Sequence, residues 1–115
     1  GNLDLRHLDG ENRLLLAPLE VEWRGHKFVV AEDFVTDLAS IPRGLRWLVP
    51  KGRNESKGAV VHDWIYRGHC TKLGITREEA DEMMLDIMNE CGVNYPRRYL
   101  IYNGVRVGGH WSFKG

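Results

Sequence analysis

Hydrophobic period changes once along this chain, near Ile41, and that change limits its architecture more than any other feature. Before it, apolar residues come in short alternating runs: Leu3, Leu5 with His7 or Leu8, then Leu14 to Leu16, then Leu19, Val21 and Trp23. Phe28 to Val30 and Phe34 with Val35 supply two more. A period of two is the mark of a half-buried strand. Asp9-Gly10 and Arg24-Gly25 fall between such runs, where hairpin turns belong. The expected sum is a small antiparallel sheet of four or five strands.

After Ile41 the spacing becomes helical. Pro42 suits the first turn of a short helix that carries Leu45, Trp47 and Leu48 and stops before Pro50. Residues 51–55 read as a polar loop. Ser56 can cap a helix reaching about Arg67, with Val60, Val61, Trp64 and Ile65 as its core stripe, and Gly68 breaks it. Thr76-Arg77-Glu78-Glu79 matches a capping box. Behind it Ala80, Met83, Met84, Ile87, Met88 and Cys91 recur at helical spacing, and Gly92 is a natural C-cap. A last helix from about Pro96 carries Leu100, Ile101 and Val105 and ends at Gly108-Gly109, with Gly104-x-x-x-Gly108 permitting a close approach. The aromatic tail His110-Trp111-Ser112-Phe113 is expected to pack back. These readings predict an α+β fold in one domain over 1–115, β-rich over about 3–36 and helical over about 42–108. The small N-terminal sheet would pack on a C-terminal bundle of three to four helices.

Composition removes several functional classes. At 115 residues with 43% hydrophobic content, the chain can bury a single modest core. Sixteen basic and sixteen acidic residues cancel, so no overall field favours nucleic acid or an anionic membrane, and no nucleic-acid partner is expected. No apolar run is long enough to span a bilayer, and no signal-peptide pattern opens the chain. Two cysteines, Cys70 and Cys91, are too few for a secreted disulfide scaffold and read as reduced thiols.

Chemistry concentrates in His62-Asp63-Trp64-Ile65-Tyr66 on the helix, preceded by the polar cluster Thr36-Asp37-Leu38-Ala39-Ser40-Ile41-Pro42-Arg43. His62 and Tyr66 are four residues apart and share a helix face, while Asp63 lies about 100° around it. An imidazole near its neutral range can act as a base or bind a metal. Asp63 either pairs with Arg67 one turn on or joins Asp37 on a hard divalent cation such as calcium. Asp37 alternatively serves as a turn residue near Ser40. If the two main helices pack antiparallel, Asp81 can reach His62, fix its tautomer and raise its basicity. Otherwise Asp81 complements the helix dipole in the first turn. Neither Ser40 nor Ser112 stands in a nucleophile-elbow context, so these residues do not point to serine catalysis.

Phe34 to Arg43, then His62 to Arg67, then Ala80-Asp81, taken in that order, resemble a family of tailed phages and prophages known as domain of unknown function 1353. The resemblance runs from about Leu14 to Trp111 and implies a phage or prophage origin without supplying an activity. The partners it implies are other phage proteins or a host protein. The implied location is the cytoplasm of the infected or lysogenic host, or the virion. A second similarity is to the core of secreted phospholipase A-two enzymes, where a His-Asp-x-x-Tyr helix faces an Asp on the next antiparallel helix. It implies His62 as the base that activates water, Asp63 as a calcium ligand, Asp81 as the group orienting His62, and Tyr66 bonded to Asp81. The Gly-rich calcium loop of those enzymes has no counterpart here.

Three functions are therefore open: a metal-assisted hydrolase with His62, Asp81 and Tyr66 catalytic and Asp63 and Asp37 on the cation, a non-enzymatic phage accessory or virion protein, and an inhibitor or adaptor of a host protein. A cleft beside His62 favours the first. Complete internal satisfaction of His62, Asp63 and Asp37 favours the second. A large exposed apolar patch elsewhere favours the third.

Overall fold

Alternating burial builds the N-terminal third into strands. The computed structural model describes residues 5–8, 13–38, 40–50 and 55–108. Its strands are β1 (Leu5–His7), β2 (Arg13–Leu15), β3 (Leu19–Trp23), β4 (His26–Val30) and β5 (Val35–Thr36). Leu19, Val21 and Trp23 are buried while Glu20 and Glu22 face water, as a period of two requires. Leu19 pairs with Val30 and Trp23 with His26 across a hairpin whose turn residues, Arg24 and Gly25, have φ of 44° and 84°. Two positive φ values define the turn type that matches strand twist.

The five strands are all antiparallel but form two sheets, not the one expected: a three-stranded sheet in the order β1-β2-β5 and the β3-β4 hairpin. Pro18 stands between β2 and β3 and has no N–H to donate, which favours ending the ladder where the chain passes to the second sheet. The Asp9-Gly10 turn and the aromatic tail at 110–113 fall outside the described residues.

The described residues after β5 are mainly helical, so the α+β class holds. A 3-10 helix spans Arg43–Leu48, followed by α1 (Lys57–Tyr66), α2 (Cys70–Leu73), α3 (Arg77–Glu90) and α4 (Tyr95–Gly108). Pro42 is the N-cap of the 3-10 helix rather than part of its first turn. Three residues per turn put Leu45 and Leu48 on one side and leave Trp47, expected in the core, 75% exposed. Leu100 likewise lies outside the buried stripe of α4, which Ile101 and Val105 occupy. Ser56 holds the N-cap of α1 without a side-chain capping bond, because its backbone is already helical. The capping box of α3 is complete, with Thr76 and Glu79 each accepting from the other's backbone N–H. Glycines set two close approaches. A Cβ on Gly58 would stand 2.9 Å from the Met84 carbonyl oxygen, and one on Gly104 would collide with Leu45.

Two apolar clusters fill the interior. One joins both sheets to α1 and α3 through residues such as Leu15, Leu19, Val60, Ile65 and Met83. The other joins the 3-10 helix to α1, α3 and α4 through Leu38, Ile41, Met84, Met88 and Ile101. Each such side chain contributes about 1.5–3 kcal/mol by leaving water. Trp23 also ties β3 to α3 by donating to Asp86 at 2.7 Å.

Candidate functional site

Gly58 lets α1 lie close against α3, and the antiparallel pairing then brings the next turn of α1 opposite the first turns of α3. His62, Asp63, Asp81 and Ser40 meet there, each 1% exposed or less. His62 Nε2 lies 2.6 Å from Asp81 Oδ1. The Tyr66 hydroxyl donates to the same oxygen at 2.5 Å, and Arg106 from α4 donates to the other, Oδ2, at 2.7 Å. Arg77 lies 3.8 Å from Oδ2, and it also donates to the Tyr66 hydroxyl and the Val105 carbonyl. Burial pushes the Asp81 carboxyl up, but its bonds from His62, Tyr66 and Arg106 more than offset that and hold it below the usual range. Tyr66 is pushed well above its ordinary value, chiefly by burial and then by the bond to Asp81.

An ionised carboxylate only accepts, so His62 Nε2–H is the donor toward Asp81. Nδ1 lies 2.9 Å from the Ser40 hydroxyl, within hydrogen-bond reach. Ser40, His62 and Asp81 thus form one hydrogen-bonded line. Sequence reasoning brought Asp81 to His62 but set Ser40 aside. No local signal marks Ser40, because its contact with His62 spans 22 residues.

The loop that presents Ser40 is held by Asp63. Thr36 Oγ1 donates to Asp63 Oδ2 at 2.6 Å, and the Ser40 backbone N–H donates to Oδ1 at 3.2 Å. Between them Leu38 is buried with φ of 62°, a left-handed conformation that costs a branched-chain residue about 1–2 kcal/mol. The Asp63 bonds and the burial of Leu38 offset that strain.

Asp37 and Asp63 also come together, through Arg67. Its Nη2 donates to Asp37 Oδ1 at 2.7 Å and to Asp63 Oδ2 at 3.1 Å, while Nη1 donates to the Val35 carbonyl. A guanidinium therefore stands between the two carboxylates proposed for a cation. Among the described residues, no three His, Cys, Asp or Glu side chains converge as a metal site would need. A pocket of about 470 Å³ lies away from this cluster, at the β3-β4 hairpin, lined by Glu20, Val21, Glu22, Lys27, Phe28 and Val29. Cys70 and Cys91 are free thiols, and burial raises Cys70 to about 11, so it is not a ready nucleophile.

The three segments that build this cluster lie within residues 14–105, which the family model for proteins of unknown function DUF1353 matches. The chain belongs to that family. No curated protein and no solved structure matches it. Among the described residues, no helix is long and apolar enough to cross a membrane.

Proposed function

We propose that this is a phage-borne accessory or virion protein that works by binding, and that the polar cluster is the clamp of its fold. The observation that carries this reading is the internal satisfaction of the cluster. Both ring nitrogens of His62 and all four carboxylate oxygens of Asp63 and Asp81 have partners within the protein, and all three residues are 1% exposed or less. A catalytic group must meet substrate, and a buried, saturated network offers it no opening. The phage origin rests on the ordered motifs, and it places the protein in the infected or lysogenic host or in the virion.

The test is thermal unfolding of chelated protein with and without calcium, magnesium, zinc or manganese. His62→Ala should cost about 1–3 kcal/mol, because it leaves buried Asp81 and Ser40 groups short of a partner. No metal should raise the melting temperature. A shift for one metal that disappears in Asp63→Asn overturns the reading, since a ligand of the native state stabilises it by mass action. Such a cation would have to displace Arg67.

The Ser40–His62–Asp81 line supports a second reading, a hydrolase of esters or amides. Its geometry and the strained Leu38 two residues earlier are what a serine nucleophile would use. His62 would take the hydroxyl proton as Ser40 Oγ attacks the carbonyl carbon and give it to the departing alcohol or amine as the C–O or C–N bond breaks. Water would then release the acyl group as the acid; Asp81, held by Tyr66, would fix the ring. The resemblance to phospholipase A-two supports the His62–Asp81–Tyr66 part, but Ser40 stands where an activated water would be. A fluorophosphonate probe decides: covalent labelling of the native protein that vanishes in Ser40→Ala establishes this reading and sinks the first.

A further inference from the structure

Charge is balanced over the whole chain but not over its parts. The 3-10 helix and α4 together carry Arg43, Arg46, Arg97, Arg98 and Arg106 and not one Asp or Glu. These two elements pack directly on each other, with Leu45 over Gly104 and Pro42 against Gly108. Their outer side is apolar as well as basic. Trp47 is 75% exposed, Leu100 54% and Val107 79%. Leu100 lies one turn before Gly104 and Val107 three residues after it, so both border the same side of the strip on which the 3-10 helix sits. Large apolar groups gathered on one side of a protein mark a place that something covers.

The arginines differ in what they already do. Arg106 is committed to Asp81, Arg46 donates to the Ile41 carbonyl, and Arg98 donates to the Val93 carbonyl while lying over the Tyr95 and Tyr99 rings. Arg43 and Arg97 are exposed, and no carboxylate pairs with either among the described residues. Exposed Arg and Trp side chains on two packed elements are the composition of binding hot spots.

We infer that this face docks an acidic, amphipathic segment of a partner protein. Acidic side chains meet Arg43 and Arg97, which supply steering and register, while the apolar side of the segment covers Trp47, Leu100 and Val107. The aliphatic pair decides against single-stranded nucleic acid, because Leu100 and Val107 offer no ring for a base to stack on. The inference concerns a surface remote from the buried cluster and holds whether or not that cluster is catalytic.

The probe is a fluorescein-labelled amphipathic peptide with leucines on one face and glutamates on the other, titrated with the full chain and followed by anisotropy. Saturable binding is expected, weakened at least about tenfold by Trp47→Ala and by Arg97→Glu, and weakened by added salt. Both substituted side chains are exposed, so the melting temperature of each variant should stay near that of the parent. Equal binding of the same peptide with lysines for glutamates overturns the proposal. So does preferential binding of an oligothymidylate, absence of saturable binding, or an affinity that neither substitution changes.

Discussion

Asp81 and Asp63 are both shut away from solvent, yet helices alone hold the first while a helix and a loop share the second. Around Asp81 converge His62 and Tyr66 from α1, Arg77 from α3 and Arg106 from α4, with the two arginine side chains only 22% and 29% exposed. Around Asp63 the donors are Thr36 from β5, the Ser40 backbone from the segment after it, and Arg67 from the end of its own helix. Arg67 is more open and is shared with half-exposed Asp37. One buried carboxylate therefore locks a helix bundle, and the other splints a strained turn. Burying a charge is unfavourable by several kcal/mol unless partners restore what water supplied, so the two sites should fail differently when broken.

Removing the carboxylate is the strongest way to separate them. Asp81→Ala leaves Arg106, Arg77, His62 and Tyr66 facing a void inside the bundle and should destabilise by about 3–5 kcal/mol. Asp63→Ala leaves neutral donors and an arginine that can turn to Asp37, so about 1–3 kcal/mol is expected. Urea unfolding of the two variants measures both. Equal losses would mean that the helical setting of Asp81 confers no extra dependence.

Acid provides a gentler probe of the same difference. The Asp81 carboxyl is depressed in the folded protein by its bonds from His62, Tyr66 and Arg106, which exceed the effect of burial. Its contribution is therefore fully present above the unfolded carboxylate value of about 3.9 and is lost as pH falls through the lower folded value. Stability measured from pH 6 downward should drop below about pH 4, and Asp81→Asn should remove part of that drop. Tyr66 works at the other end. Its raised value means a contribution present below about pH 10 and lost as pH rises beyond it, a limb that Tyr66→Phe should flatten.

How much of this was legible depends on how local each cause is. The Arg24-Gly25 turn, the Thr76 capping box and the Met83-Met84-Ile87-Met88 stripe each act within a few residues, and sequence spacing alone reveals them. Asp81 meeting His62 needed one further assumption, antiparallel helices, and the close approach at Gly58 provides it. Ser40 was not legible, because its place depends on a left-handed Leu38 and on the bond from its own backbone N–H to the Asp63 carboxylate 23 residues further on. Nor was the guanidinium between Asp37 and Asp63. An i,i+4 pair of Arg67 with Asp63 was readable, but the added bond to Asp37 depends on where β5 delivers the loop. The helix α2 is four residues long, too short to show a period, and its one signal is Gly74 at φ 69°.

The smallest expected effect also sharpens the comparison most, because it removes the cation and leaves the carboxylate. Arg67→Met keeps much of the aliphatic stem but takes away the guanidinium that lies over Phe34 and is shared by Asp37 and Asp63. With Arg67 more than a third exposed, water and salt replace much of what it supplies, so the loss should be about 0.5–1 kcal/mol and should shrink as salt rises. Arg106→Met faces a carboxylate with no exposed surface and should cost about 1.5–3 kcal/mol, nearly independent of salt. Urea unfolding of both variants at low and high ionic strength tests the pair. If Arg67→Met proved the costlier and equally insensitive to salt, the loop side would be the anchor of this protein, and the helix-bundle clamp around Asp81 would be the secondary element.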